Sequence, residues 1–174
     1  MSTKLFLAFA LMGIIIAPTG CVTGQRGFPP KDQITNYDRV DWKLCRGAQP
    51  NAAGLEALAK DGVTLVINLR QPGDTWAVEE QTCTDLKMRY VNVPLSGVMA
   101  PTDENVRLLI ALINENRGKA FIHCQYGCDR TGTIIACYRI TKGLSNEDAF
   151  NDAKQHGISH LLPVLKHYIL HFKP

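Results

Sequence analysis

His123-Cys124 and, after five intervening residues, Arg130-Thr131-Gly132 place a thiol and a guanidinium in one short segment. An apolar run, Ala120-Phe121-Ile122, leads into the cysteine, and an apolar helical pattern follows from Thr133. Strand, tight loop and helix is the arrangement that turns backbone N–H groups and the positive end of a helix toward an oxyanion. A cysteine at such a site loses its proton readily, because those groups stabilise the thiolate. Arg130 adds a planar fork suited to two phosphate oxygens at once. The chemistry these residues can do is attack by a thiolate on a bound phosphate.

The pattern His-Cys, five residues, Arg-Thr-Gly resembles the signature of the cysteine-dependent protein tyrosine phosphatase superfamily. It stands here as His123, Cys124, Gly127, Arg130, Thr131 and Gly132. A second segment, Arg46-Gly47-Ala48-Gln49-Pro50, resembles a stretch near the start of atypical bacterial and fungal dual-specificity phosphatases. The resemblance implies that Cys124 attacks phosphorus while Arg130 holds the phosphoryl oxygens. The backbone of Gln125, Tyr126, Gly127, Cys128, Asp129 and Arg130 would bind the remaining oxygens. Gly127 is expected where the loop curls, and Gly132 where the helix packs tightly. Thr131 is expected to donate to the sulfur, and His123 to brace the loop.

The reaction also needs a carboxylic acid to protonate the leaving oxygen and then activate water. In many relatives that acid sits on the loop corresponding to Pro94–Pro101, which here reads PLSGVMAP and holds no acid. Asp129, inside the phosphate loop, is the first candidate, with Asp103 and then Asp74 as alternatives. No cofactor or metal is called for. The loop residues Gln125, Tyr126 and Cys128 carry no charge, which mildly disfavours a highly anionic inositide. The expected partner is a phosphorylated protein or a small phosphorylated molecule. Two other readings use the same residues, a catalytically weak phosphate-binding module and a rhodanese-like sulfurtransferase.

These residues must be positioned by the rest of the chain. Val63–Leu69 is a β-branched apolar run typical of a buried parallel strand, and Arg89–Val93 and Ala120–Ile122 are further strands. Tyr37–Leu44 alternates loosely as an edge strand pair, and Arg46–Pro50 reads as a turn. Helices are expected after the caps Asn51, Thr102 and Ser145, over Trp76–Leu86, from Thr131 to Thr141, and over Leu161–Phe172. Alternating helices and short strands indicate an α/β fold with a central, mainly parallel sheet of about four to five strands flanked by helices. The cysteine then lies at the carboxyl end of a strand, where such sheets bind ligands.

The 174 residues suit one domain of ordinary size, and a net charge of +3 leaves no strongly basic face for nucleic acid. Lys4 and the apolar run Leu5–Ala17, too short for a comfortable membrane span, precede Gly20-Cys21. This start resembles a bacterial lipoprotein signal, although Pro18 replaces the usual aliphatic residue. It implies a signal peptide over 1–20, lipidation of Cys21, and a periplasmic or membrane-anchored protein. A tether over 21–33 and a catalytic domain over 34–174 complete the organisation. Beyond Cys21 five cysteines remain, an odd number for an exported chain. Cys124 and Cys128 share a loop, so Cys128 either forms a reversible disulfide with Cys124 or simply faces inward.

Overall fold

The β-branched run from Val63 and the apolar run from Ala120 become adjacent strands in the interior of one sheet. The computed structural model describes Gly27, residues 31–74 and residues 77–174. In chain order the elements are β1 (Asp38–Arg39), β2 (Leu44–Gly47), α1 (Ala52–Lys60), β3 (Val63–Asn68) and α2 (Glu79–Asp85). They continue as β4 (Arg89–Asn92), α3 (Asp103–Glu115), β5 (Lys119–His123), α4 (Asp129–Thr141), α5 (Asn146–Gln155) and α6 (Pro163–His171). The strand order is β1-β2-β5-β3-β4, and every neighbouring pair except β1 with β2 is parallel. The expected α/β sheet is therefore present.

Alternate side chains of the strands serve two cores, as the two-residue period of a strand requires. Leu65, Ile67, Leu69, Ile122 and Cys124 pack with Val106, Leu109, Ile134 and Leu165 of the helices on one face. Cys45, Val66 and Phe121 pack on the other face with Leu55, Leu58 and Cys83. A fully buried side chain such as Ile67 or Leu109 stabilises the fold by roughly 1.5–3 kcal/mol. The cap signals hold: Asn51 accepts from Gly54 N, Thr102 from Asn105 N, and Ser145 from Asp148 N.

Several boundaries differ from the sequence expectation. Arg46 and Gly47 belong to β2, paired in register with Ile122 and His123, and do not form a turn. Sheet hydrogen bonding to β5 overrides the turn-like composition there. β1 is only two residues long. The helix expected from Trp76 begins at Glu79, after a 3-10 turn at Pro72–Asp74. The helix after the loop begins at Asp129, two residues earlier than expected, and the last helix covers Pro163–His171. The leader, Cys21 and Trp76 lie outside the described residues. None of the described helices is long and apolar enough to cross a membrane.

Candidate active site

Register brings the carboxyl ends of three strands level with the cysteine. Gly47 of β2 and Asn68 of β3 both stand beside His123 of β5, so Ala48 and Leu69 flank Cys124. Leu69 N donates to His123 O at 2.9 Å, and Gln49 N donates to Gln125 O at 3.2 Å. The loop 124–128 therefore leaves the sheet pinned on both sides. Cys124 is 3% exposed.

Gly127 takes φ +68, the curl expected of it. A Cβ there would sit 2.5 Å from the carbonyl carbon of Gly47 and 2.8 Å from Ala48 N. Only glycine fits against that strand end. Gly132 is different. An added Cβ would meet nothing nearer than 3.8 Å, at Ala153 and Ile158, which is ordinary contact. The tight packing expected at Gly132 is absent, so Gly132→Ala should raise stability by about 0.5–1 kcal/mol through helix propensity, measured by urea unfolding.

The loop is held from beneath by Asn36, which the sequence did not single out, and by Arg46, which it placed in a turn. Asn36, fully buried with φ 54, points its Nδ2 at Gly127 O (3.1 Å), His156 O (3.0 Å) and Cys128 Sγ (3.5 Å). The Arg46 guanidinium donates through Nη2 to Gly127 O, while its Nε and Nη1 are buried without an acceptor. Burial lowers its pKa to about 10, so it stays cationic at neutral pH. Cys128 is fully buried and donates to Tyr126 O at 3.3 Å. No disulfide joins Cys124 to Cys128 in this structure.

His123 braces the loop on the opposite face of the sheet. Its Nδ1 lies 3.3 Å from Cys124 O, and its Nε2 lies 3.0 Å from Glu79 Oε1, in contact though out of line for a hydrogen bond. Glu79 is wholly buried, and its oxygens accept from Gln49 Nε2 (2.7 Å) and Asn68 Nδ2 (2.8 Å). One of two adjacent glutamates opening a short helix, Glu79 gave no sign of this in the sequence. Its partners come from β3, β5 and the segment just after β2, which only the fold assembles.

Arg130, in the first turn of α4, reaches Leu69 O through Nη1 at 3.4 Å. Thr131 Oγ1 is buried and makes no hydrogen bond, so its hydroxyl is uncommitted. Gln125 and Tyr126 are exposed at the mouth, Tyr126 by 61%.

The three candidate acids separate. Asp129 accepts from Ser159 N at 2.6 Å and lines a groove with Ser159, His160 and Leu161. Asp103 accepts from Tyr168 OH at 2.7 Å and stands 3.9 Å from Arg107. Its charge is felt at Cys137, which lies about 12 Å along α4 from Asp129. Asp74 is exposed at the end of the 3-10 turn, four residues past Arg70. The fold therefore keeps Asp129 beside the loop, leaves Asp74 exposed in the turn beyond β3, and commits Asp103 to α6.

The remaining thiols are chemically quiet. Burial pushes Cys45 and Cys83 up to about 12 and raises Cys137 as well. At pH 7 only about one in 10⁵ of the Cys45 or Cys83 thiols is ionised. Iodoacetamide on the native protein at pH 7 should modify Cys124 before any of these three, read by mass spectrometry of the peptides. An early adduct on Cys45 would contradict the burial. Among the described residues no group of three or more His, Cys, Asp or Glu is placed to hold a metal ion.

The family model described as "DSP-PTPase phosphatase fused to NAD+ Kinase" matches residues 28–161. Phosphatidylglycerophosphate phosphatase PTPMT2 of Arabidopsis thaliana is 30% identical over 117 residues, 65% of this chain and 51% of that protein. Dual specificity protein phosphatase TpbA of Pseudomonas aeruginosa is 27% identical over 128 residues, 72% of this chain and 56% of that protein. The chain thus spans about half the length of these curated relatives. The crystal structure of P. aeruginosa TpbA superposes with a TM-score of 0.71 at 21% identity, covering 87% of this chain and 92% of that one. Tk-PTP in its active form gives 0.67 at 20% identity, covering 78% and 97%. Matched over most of its length by that model, the chain belongs to the dual-specificity phosphatase family of the cysteine-dependent protein tyrosine phosphatase superfamily.

Proposed function

We propose that this chain is a cysteine-based phosphatase that hydrolyses phosphomonoesters through a phosphocysteine intermediate. The observation that carries the reading is Cys124 at the end of β5, facing a loop curled by Gly127 and followed by Arg130 on α4. The Cys124 thiolate attacks phosphorus as the bond to the leaving oxygen breaks. Arg130 and the loop N–H groups bind the non-bridging oxygens, where charge accumulates in the transition state. A carboxylic acid gives its proton to the leaving oxygen, and the resulting carboxylate takes one from water as that water attacks the phosphocysteine. The sulfur then departs as thiolate, with the uncommitted Thr131 hydroxyl as its donor, and inorganic phosphate is released.

Asp129 is our assignment for the acid. It stands in the first turn of α4, next to Arg130 and inside the segment that would wrap the phosphate, where Ser159 N donates to its Oδ1. Asp74 is the alternative, because its carboxylate makes no hydrogen bond or ion pair within the described chain. The names of the relatives support phosphoprotein or phospholipid substrates in equal measure. Residues 1–20 act, in this reading, as an export signal and Cys21 as a lipid attachment point, which mass spectrometry of the membrane-extracted protein would check.

The test is turnover of p-nitrophenyl phosphate by the wild type, with Cys124→Ser inactive yet able to bind phosphate. The pH–rate profile then identifies the acid: its basic limb should be lost in Asp129→Asn and kept in Asp74→Asn. Turnover of thiosulfate without turnover of the phosphate ester would favour a sulfurtransferase. Binding without turnover by the wild type would favour a phosphate-binding module.

A further inference from the structure

Three guanidiniums converge on the end of β5 without a carboxylate partner among the described residues: Arg46, Arg70 and Arg130. Elsewhere among the described residues Arg39 pairs with Asp61, Arg107 with Asp103 and Arg139 with Asp152, while Arg89 and Arg117 are exposed to solvent. Arg46 is used by the loop it supports. Arg130 is used by the phosphoryl group under the reading above. Arg70 has no such assignment.

Its position is fixed by the sheet. Arg70 follows β3 and Gln49 follows β2, and β5 lies between these strands. Neighbouring strands are about 4.8 Å apart, so β2 and β3 stand about 10 Å apart. Yet Arg70 Nη1 donates to Gln49 Oε1 at 3.0 Å, while Gln49 N holds Gln125 O. The two side chains therefore meet across the end of β5, one residue beyond Cys124. By the alternation of the strand Arg70 lies with Asn68 on the His123 face, whereas Arg130 comes from the α4 face. Two guanidiniums thus flank the carboxyl end of the nucleophile's strand from opposite sides. Of the Arg70 side-chain donors only Nη1 meets an acceptor, and Nε is buried without one.

A half-buried cation without a carboxylate costs stability unless an anion satisfies it in the working state. Arg130 and the loop already account for one phosphoryl group. We infer that Arg70, steadied by Gln49, is the binding site for a second phosphate group of the substrate. This rests on the phosphatase reading and deepens it. The substrate is then a phosphomonoester carrying another phosphate, in a soluble bisphosphate or in a phospholipid headgroup. The uncharged loop residues, which mildly disfavoured a highly anionic inositide, leave this role to a residue outside the loop.

The experiment compares inorganic pyrophosphate with inorganic phosphate as inhibitors of p-nitrophenyl phosphate turnover. The wild type should bind pyrophosphate about tenfold or more tightly than phosphate. Arg70→Met should bring that ratio close to one, and Arg70→Lys should restore part of it. Equal inhibition in the wild type, or a ratio unchanged in Arg70→Met, would overturn the inference. The same comparison by calorimetry on Cys124→Ser needs no turnover, so failure of the phosphatase reading stays distinguishable from failure of this one. Glycerol 1,3-bisphosphate and micellar phosphatidylglycerophosphate, assayed as substrates, then separate the sources. An Arg70-dependent KM for either supports the site and names its origin, and dependence for neither overturns it.

Discussion

Gly127→Ala is expected to lower kcat/KM for p-nitrophenyl phosphate by about 10³-fold or more. Two independent costs meet at this residue. The backbone holds φ +68, which an alanine adopts at a cost of about 1–2 kcal/mol. The new methyl would also stand 2.6 Å from the Gly47 carbonyl oxygen and 2.5 Å from its carbon. Those are main-chain atoms of a strand paired to β5, so they cannot turn aside as a flexible side chain would. The loop must move instead. Its anchors on Asn36 and Arg46 both end at Gly127 O, and that movement breaks them. A shift near 1 Å in a positioned group costs about 10²-fold in rate, and loss of an oxyanion donor costs about 10²–10³-fold. Steady-state kinetics check the prediction. Activity within tenfold of wild type would mean that the loop does not sit against β2 as described.

Removal of Glu79 is the second large effect. Glu79→Ala should destabilise the fold by about 3–5 kcal/mol in urea unfolding, because it strips a buried network of its shared acceptor. Gln49 Nε2 and Asn68 Nδ2 lose carboxylate oxygens at 2.7 and 2.8 Å, and His123 Nε2 loses its neighbour at 3.0 Å. Against a typical domain stability of about 5–15 kcal/mol this is a large share. The folded fraction should also turn over about tenfold more slowly, since the His123 ring is in contact with Cys124 O and positions the nucleophile. Glu79→Gln retains one acceptor and should recover most of the stability. An unchanged unfolding midpoint in Glu79→Ala would remove the network from the account.

Much of the site was legible because it is contiguous. A thiol, a left-handed glycine, an arginine and a helix start within nine residues interact whatever the rest of the chain does. The strands were legible for a related reason: Val63–Ile67 and Ala120–Ile122 are apolar on both faces, and only a covered parallel sheet satisfies that. Arg46 was misplaced in a turn because a polar residue beside glycine looks like surface. In the fold it is fully buried beneath a loop 81 residues later in the chain. Gly132 was recognised, but the room around it was not, since its spacing from Ala153 and Ile158 is set by a later segment.

The sequence alone determined which atoms could react, namely a sulfur and a guanidinium brought together by local backbone geometry. Tertiary structure decided what holds and surrounds them: Asn36 and Arg46 beneath, Glu79 behind His123, Arg70 across the strand end, and Asp103 drawn away to Tyr168. Local geometry is written in consecutive residues, whereas a buried polar group finds its partners only when distant strands come into register.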